Sequence, residues 1–259
     1  MPDLLHTLAA AGAAFLAGAI NSVAGGGTLI SFPTLVWLGL PPITANATST
    51  VAIWPGSLGS IWGFRKELGQ TDPRLRLLCI TSLLGGGVGA LLLRSTPPAT
   101  FQHLVPFLIL FATVLFTVQA PIQKRLRART QSPGAVQEHA GLPVAMALNL
   151  FVAVYGGYFG AGMSIMMLSA LSILGLTDIL QMNALTSLFA LCVNGVAAGI
   201  FIGTHMVDWS YVLPMAVAAV IGGYGAAGLA RRIGKVAVRR FVIIVGFAMS
   251  AILFVRYFV

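Results

Sequence analysis

Two polar, glycine-rich segments stand out in a chain whose apolar stretches otherwise carry few chemically active side chains. The first reads Asn-Ser-Val-Ala-Gly-Gly-Gly-Thr, from Asn21 to Thr28. Glycine costs about 1 kcal/mol relative to alanine inside a helix, so three in a row predict a break and a fresh helix start. A helix N-terminus offers unbonded N–H groups and the positive end of the helix dipole, which together bind anions.

The second polar segment, Thr44 to Thr50, follows the pair Pro41-Pro42, so we expect it to open another helix and to offer more donors. Both segments recur in the second half of the chain, at 156–164 and 183–187. The sequence therefore predicts an anion site made of uncharged donors, contributed by Asn21, Ser22, Gly25, Gly26, Gly27, Thr28, Asn46, Thr48, Ser49, Gly160, Gly162, Ser164, Asn183, Thr186 and Ser187.

The sequence gives little support for a proton relay, a metal site, a disulfide or an enzyme active site. The six acidic residues lie at the ends of apolar stretches or in loops, so a carboxylate proton relay at the membrane midplane is not expected. The four histidines are scattered, and we predict no metal site and no cofactor. Cys79 and Cys192 fall in apolar stretches, where packing without a disulfide is the expected role. Because the apolar stretches contain neither a nucleophile–base pair nor a carboxylate dyad, we do not expect an enzyme.

The elements that position these donors are long and apolar. The chain is 58% hydrophobic and 8% charged, whereas a soluble domain carries about 25% charged residues. No Lys, Arg, Asp or Glu occurs in 4–64, 140–177 or 179–204, and about 20 apolar residues cross a bilayer. Spans are helices or closed barrels, and 104–115 lacks the alternation of barrel strands. We predict an all-α, polytopic protein of the cell membrane, in contact with the lipid bilayer.

The chain divides into two homologous halves, offset by 135 to 137 residues. The glycine run at 25–27 matches 160–162, and Asn46 matches Asn183. We therefore predict a first transmembrane repeat, a basic cytoplasmic linker and a second transmembrane repeat, at 1–122, 123–140 and 141–259. Paired glycines in the later spans are expected to permit close helix packing, namely Gly85, Gly89, Gly222 and Gly225.

Charge in equivalent loops predicts that the halves are inverted repeats. The loop 65–76 is basic while its counterpart at 205–208 is not, and 231–240 is basic while 94–103 is nearly neutral. This reversal, under the positive-inside rule, places equivalent loops on opposite faces. The same rule accounts for the net charge of +9 without a nucleic-acid partner.

Inversion requires an odd number of crossings in each half. The leading segments 4–64 and 142–204 therefore contribute one or three crossings each, with broken or re-entrant helices near the midplane, where transporter sites lie. Parallel repeats of four spans each remain open. The clear spans are 77–93, 104–122, 209–230 and 241–259.

The residues from Asn21 to Pro33, followed by Thr44-Ala45-Asn46-Ala47-Thr48-Ser49, resemble the sulfite exporter TauE/SafE family of membrane permeases. The second-half glycine motif and Met182-Asn183-Ala184 are similar to that family too. The resemblance implies transport of sulfite, sulfonates or related organosulfur anions, which we expect to proceed by alternating access. Leu168 stands where the first half has Pro33, and Ala161 interrupts the second glycine run, so the second half-site is expected to be looser.

Two other functions stay open at this stage. Helix N-termini bind any anion, so a permease for another small anion such as a carboxylate fits the same donors. A non-transporting membrane assembly subunit would account for the packing glycines but not for two duplicated polar helix starts. The direction of transport, its coupling to protons or sodium, and a homo-oligomeric state are not determined by the sequence.

Overall fold

The computed structural model describes residues 3–23, 26–71, 73–130, 142–176, 178–233 and 235–258. Throughout these ranges the regular structure is helical and no strand occurs, which confirms the all-α prediction. The helices are α1 Leu4–Val23, α2 Thr28–Trp37, α3 Pro42–Gly63, α4 Arg65–Gly69, α5 Leu78–Ser95, α6 Pro98–Thr130, α7 Leu142–Tyr158, α8 Met163–Ile173, α9 Ile179–Gly203, α10 Trp209–Ile233 and α11 Lys235–Phe258.

Several of these helices are long enough to span a membrane. Within the described ranges, five helices are long and apolar enough to cross a bilayer, and they lie in α1, α5, α6, α9 and α11. Shorter apolar helices accompany them, among them α2, α7 and α8. The helix α3 belongs to neither group although it has 22 residues, because its N-terminal half carries asparagine, serine and threonine side chains.

The predicted helix breaks occur where glycine and proline were expected to cause them. In the first half, α1 stops at Val23, α2 begins at Thr28, and α3 begins at Pro42. The middle helix α2 has 10 residues, or about 15 Å, which is half of a hydrocarbon core of roughly 30 Å. The second half repeats the pattern, with a middle helix α8 of 11 residues. Each leading segment thus contains one half-length helix between two longer ones.

The sixth helix extends beyond its predicted end. α6 has 33 residues, or about 50 Å, which exceeds the thickness of a bilayer core by about 20 Å. Residues 123–130, expected as the start of the linker, are therefore helical. Residues 131–140 of that linker lie outside the described residues, and its cytoplasmic location stays a prediction.

The two halves exchange their helices rather than packing side by side. The first helix of each half lies against a late helix of the other half, since α1 packs on α10 and α7 packs on α5. Glycines make these contacts close: a Cβ on Gly18 would overlap the carbonyl oxygen of Ala219, and one on Gly222 would overlap that of Phe15.

The α5–α7 contact is built in the same way, because Gly85 and Gly89 lie directly against the backbone of α7. The packing role predicted for Gly85, Gly89 and Gly222 is confirmed, while the side-chain position of Gly225 lies outside the described part of the chain.

Equivalent helices run antiparallel to each other. Arg239 in α11 bonds to the carbonyls of Phe116 and Thr117 in α6, while Ser250, further along α11, bonds to the carbonyl of Pro106, which is earlier in α6. The order along one helix is thus the reverse of the order along the other.

The central helices α3 and α9 follow the same rule. The indole nitrogen of Trp54 donates to the carbonyl of Leu191, whereas Thr48, earlier in α3, contacts Asp208, which lies beyond the end of α9. Antiparallel equivalent helices are what the inverted arrangement requires.

The core consists of two apolar clusters. The larger joins α1, α2, α3, α6, α10 and α11 to the C-terminal ends of α5 and α9, to Ile165 of α8 and to the second break. The smaller joins α7, α8 and the first half of α9 to Leu78 of α5. The division therefore follows the exchanged packing of the helices more than the order of the chain.

Candidate functional site

The first break is shaped by an asparagine side chain. The Oδ1 atom of Asn21 accepts a hydrogen bond of 2.8 Å from the backbone N–H of Gly27, which is one of the donors expected at this helix start. The N–H groups of Leu29 and Ile30 bond back to the carbonyls of Gly26 and Gly27. Asn21 thus caps the start of α2, and part of the predicted donor set is already satisfied. Gly25 and the side chain of Ser22 lie outside the described residues.

Glycine is required on steric grounds at this break. Gly26 has a φ of +104°, a conformation that other residues rarely adopt, and a Cβ there would press on the Phe116 ring. A Cβ on Gly27 would overlap the carbonyl oxygen of Ala17 in α1. The break therefore brings the start of α2 against the flank of α1.

The second glycine break, at 160–162, likewise has glycines with positive φ angles and packs closely against α6. Gly160 and Gly162 have φ values of +79° and +81°. The Tyr155 hydroxyl donates to the carbonyl of Ala161 across 2.6 Å, and Gly162 lies against Ala112 and Leu115 of α6.

Both breaks consequently face one stretch of α6, residues 112–116, since Gly26 contacts Phe116 there. Phe32 of α2 and Phe159 of the second break add an edge-to-face ring contact at 5.2 Å. The structure brings the two glycine motifs together, although they lie more than 130 positions apart in the sequence.

The N-terminal half of α3 is buried on every side. Residues 45–49 and 51–53 are all buried, including Asn46, Thr48 and Ser49. A helix surrounded by protein on all faces usually carries apolar residues throughout. Burying three polar side chains there requires hydrogen-bond partners for them.

Thr48 and Ser49 bond to neighbouring elements of the bundle. Ser49 and Ser31 of α2 share a hydrogen bond of 2.7 Å, and the Thr48 hydroxyl accepts from the backbone N–H of Asp208 at 3.0 Å. The sequence analysis did not identify Ser31. Its position, four residues after Gly27 and thus one turn into α2, was the available signal.

Asn46 is matched at one atom only. Its Nδ2 donates across 3.1 Å to the carbonyl of Tyr158, at the end of α7 in the other half. No described residue donates to its Oδ1, which is fully buried. Leaving such a group unpaired costs about 1–3 kcal/mol. Asn46 therefore joins the polar part of α3 to the second break while leaving a buried acceptor unused.

The helix starts supply fewer backbone donors than expected. Asn46 and Asn183 are each the fifth residue of their helices, beyond the four N–H groups that a helix leaves unbonded. At the start of α9, the Asp178 carboxylate accepts from the N–H of Leu180 at 2.8 Å. At the starts of α3 and α9, a bound anion would therefore meet side chains rather than unbonded backbone N–H groups.

The polar cluster of the second half is less complete than the first. Asn183, Ser187 and Ser164 are half-buried. Thr186 is buried, and its hydroxyl has no partner among the described residues. Its counterpart Ser49 does have a partner, Ser31 of α2, whose equivalent in α8 is Met166. This less complete bonding agrees with the predicted looseness of the second half-site, whose role in binding stays a prediction.

The two polar clusters lie on opposite sides of the α3–α9 crossing. Trp54 marks this crossing through its bond to Leu191 and its contact with Gly195. Asn46 precedes Trp54 by eight residues and Asn183 precedes Leu191 by eight, so the antiparallel helices separate the two asparagines by about 24 Å. The first cluster bonds to the second break and to the segment after α9, and the distance between the clusters is too long for one small anion to contact both.

Three more polar residues inside the bundle were not among the predicted site residues. A tryptophan in a membrane protein is expected in the interfacial belt, but Trp54 lies at a helix crossing. Asn149 in α7 donates to the carbonyl of Leu78, which ties α7 to α5. Asn194 lies beside Gly160 at the second break. A lone asparagine within an apolar helix was the signal for the last two.

A groove lies beside the start of α3. It has a volume of about 430 Å³, and its lining includes Pro42, Thr44, Gln102 and Arg256. Thr44 lies two residues before Asn46, so the groove opens near the buried polar part of α3. Across the described ranges, no three His, Cys, Asp or Glu side chains cluster as a metal site would require.

Residues 10–253, nearly the whole chain, match the family described as "Sulfite exporter TauE/SafE". The chain belongs to this family. The family and its relatives indicate a multi-pass membrane transporter, and the resemblance of the glycine and asparagine motifs is thereby confirmed. No solved structure matches the chain significantly.

Relatives of this TauE/SafE protein carry correspondingly general names. A "Probable membrane transporter protein" of Haemophilus influenzae is 28% identical over 96% of this chain and 94% of its own length. The "Probable membrane transporter protein YfcA" of Escherichia coli K12 is 28% identical over 92% and 86%. A Sinorhizobium relative, "Probable membrane transporter protein ORF9", is 26% identical over 92% and 88%. None of these names specifies a substrate.

Proposed function

We propose that this transporter carries a small anion, namely sulfite, a sulfonate or a related organosulfur anion, and binds it with uncharged donors. The single observation that supports the proposal best is the polar N-terminal half of α3, which is buried on all faces and bonded to the glycine break of the opposite half. Hydrogen bonds between packed helices account for Thr48 and Ser49, whereas no described packing contact uses the buried oxygen of Asn46.

Uncharged donors suit a carrier. Hydrogen bonds that involve a charged partner are about twice as strong as neutral ones, so a buried arginine would hold an anion tightly and slow its release. The uncharged amide and hydroxyl side chains at α3 bind more weakly. Arg256 is exposed in the groove at the start of α3 and attracts anions there.

Alternating access would then involve bodies that differ from the two halves of the sequence. One body contains α1, α2, α3 and α10, and the other contains α7, α8, α9 and α5, because these sets share the closest packing. The two sets correspond helix by helix under the internal repeat, as inverted repeats require. The α3–α9 crossing at Trp54 is the contact about which they rock.

The test is anion flux into proteoliposomes that contain the purified, full-length protein. Asn46→Ala should reduce the uptake of labelled sulfite at least tenfold, because it removes the link between α3 and the second break. Ser95→Ala is the matched control, since Ser95 is exposed and its hydroxyl bonds only to a carbonyl of its own helix. Full flux in Asn46→Ala with normal folding would refute the site. Uptake of a carboxylate in preference to sulfite and sulfonates would support the alternative permease.

A further inference from the structure

We infer that the transported anion carries its own hydrogen-bond donor, an O–H or N–H group that bonds to Oδ1 of Asn46. This inference rests on the proposed function and narrows its substrate class. The substrate would be a monoprotonated oxyanion such as hydrogensulfite, or a sulfonate with a hydroxyl or amino group. A fully deprotonated dianion would be excluded.

The orientation of the Asn46 amide follows from its surroundings. Its nitrogen faces the carbonyl of Tyr158 at 3.1 Å, and a carbonyl only accepts hydrogen bonds. If the amide were turned over, two oxygens would face each other, so the observed orientation is the stable one. The atom of the amide that remains unpaired is therefore the oxygen Oδ1, which only accepts hydrogen bonds. It needs a donor, and an anion without protons cannot supply one.

The neighbouring hydroxyl groups on α3 do not donate a hydrogen bond to Oδ1 of Asn46. Thr50 donates to the backbone carbonyl of Asn46 at 2.9 Å, and Ser49 shares its hydrogen bond with Ser31. No described residue bonds to the Asn46 oxygen, although only 1% of the residue is exposed. Placed in the buried part of α3, this oxygen would accept from a protonated ligand and repel a bare oxyanion.

Transport selectivity follows directly from this arrangement. A site with a fixed, buried acceptor discriminates strongly against an analogue that lacks the matching donor. Carrying hydrogensulfite would also move one proton with each anion. No carboxylate within the spans is then required for the flux to respond to a pH gradient.

The experiment compares matched ligands in proteoliposomes, with protein-free vesicles subtracted. Ethanesulfonate and 2-hydroxyethanesulfonate have the same charge and differ by one hydroxyl. The hydroxylated ligand should inhibit labelled sulfite uptake at a concentration at least about tenfold lower. Uptake of sulfite itself should fall about tenfold from about pH 6 to about pH 8, as hydrogensulfite loses its proton. Inhibition by the two sulfonates, which do not titrate there, controls for pH effects on the protein.

A variant links the preference to Asn46. Ligand-dependent thermal stabilisation of purified Asn46→Ala should show no preference between the two sulfonates, while Ser95→Ala should keep it. Should Asn46→Ala not fold, the wild-type comparison still decides the matter.

Equal inhibition by the two sulfonates, or sulfite uptake that does not fall as pH rises, would overturn this inference and leave the proposed function standing. A preference that disappears when sodium is replaced by choline would also overturn it, because a cation would then face the Asn46 oxygen. If no anion is transported at all, the proposed function fails and the inference fails with it.

Discussion

At the scale of single residues, the asparagines divide into two roles that their shared motif does not distinguish. Asn21 bonds to the backbone beside it and fixes the start of α2. Asn46 bonds across the molecule to Tyr158 and keeps one buried oxygen unmatched. Asn21 is a helix cap and Asn46 is a candidate ligand-binding group. Substitution of Asn21 should therefore lower stability, whereas substitution of Asn46 should reduce transport.

Removing the cap should lower stability. Asn21→Ala leaves the N–H of Gly27 without its partner, and loss of a helix cap costs about 1 kcal/mol. Asn21→Asp keeps an acceptor at the same place and should retain most of the stability. Thermal unfolding in detergent measures both. An Asn21→Ala protein as stable as wild type would show that the hydrogen bond to Gly27 contributes nothing.

At the scale of helices, close approach depends on which glycine faces a partner. Two glycines of α1 make the contrast: Gly18 lies against the backbone of Ala219 in α10, whereas a Cβ on Gly12 would meet nothing within 4 Å. Spacing alone does not reveal this difference, because both lie in the same small-residue-rich helix. The α1–α10 contact, which joins the two halves, therefore relies on Gly18.

Alanine substitution at these two glycines should have opposite effects. Gly18→Ala should destabilise the protein by about 1–3 kcal/mol, since the added methyl group pushes α1 away from α10. Gly12→Ala should be neutral or slightly stabilising, by up to about 1 kcal/mol, because alanine favours the helix. Melting temperatures in detergent report both changes. Equal losses at the two sites would contradict the packing described for α1.

At the scale of the whole molecule, each half of the internal repeat packs one of its helices into the other half. Equivalent helices run antiparallel, and the first helix of each half packs into the other half. This arrangement supports inverted repeats and gives each polar cluster its own side of the α3–α9 crossing.

Equivalent loops should therefore label from opposite sides of the membrane. Single cysteines at Arg65 and Ser210, both exposed, are introduced into a chain with Cys79→Ala and Cys192→Ala. A membrane-impermeant thiol reagent should reach one position only from outside and the other only from inside. Labelling of both from the same side would refute the inverted arrangement and restore parallel repeats as the alternative. Sulfite flux in each variant confirms that the labelled protein is native.

Much of the fold followed from local properties of the sequence. Charge-free stretches longer than a bilayer predicted membrane helices, and the Gly25–Gly27 and Pro41-Pro42 segments predicted where those helices break. These features act through the backbone conformation and hydration of the residues themselves, so they need no knowledge of distant partners. The duplication was likewise visible as a pattern.

The tertiary structure alone decided which of the polar residues meet. The Ser31–Ser49 pair, the bond from Asn46 to Tyr158, and the convergence of both glycine breaks on α6 join residues from separate helices. Each depends on how those helices rotate and cross, which is fixed by side-chain packing over the whole bundle. The sequence therefore determined that this protein holds polar groups within the membrane. Packing determined that they form two separate clusters, which leave the Asn46 oxygen and the Thr186 hydroxyl unmatched among the described residues.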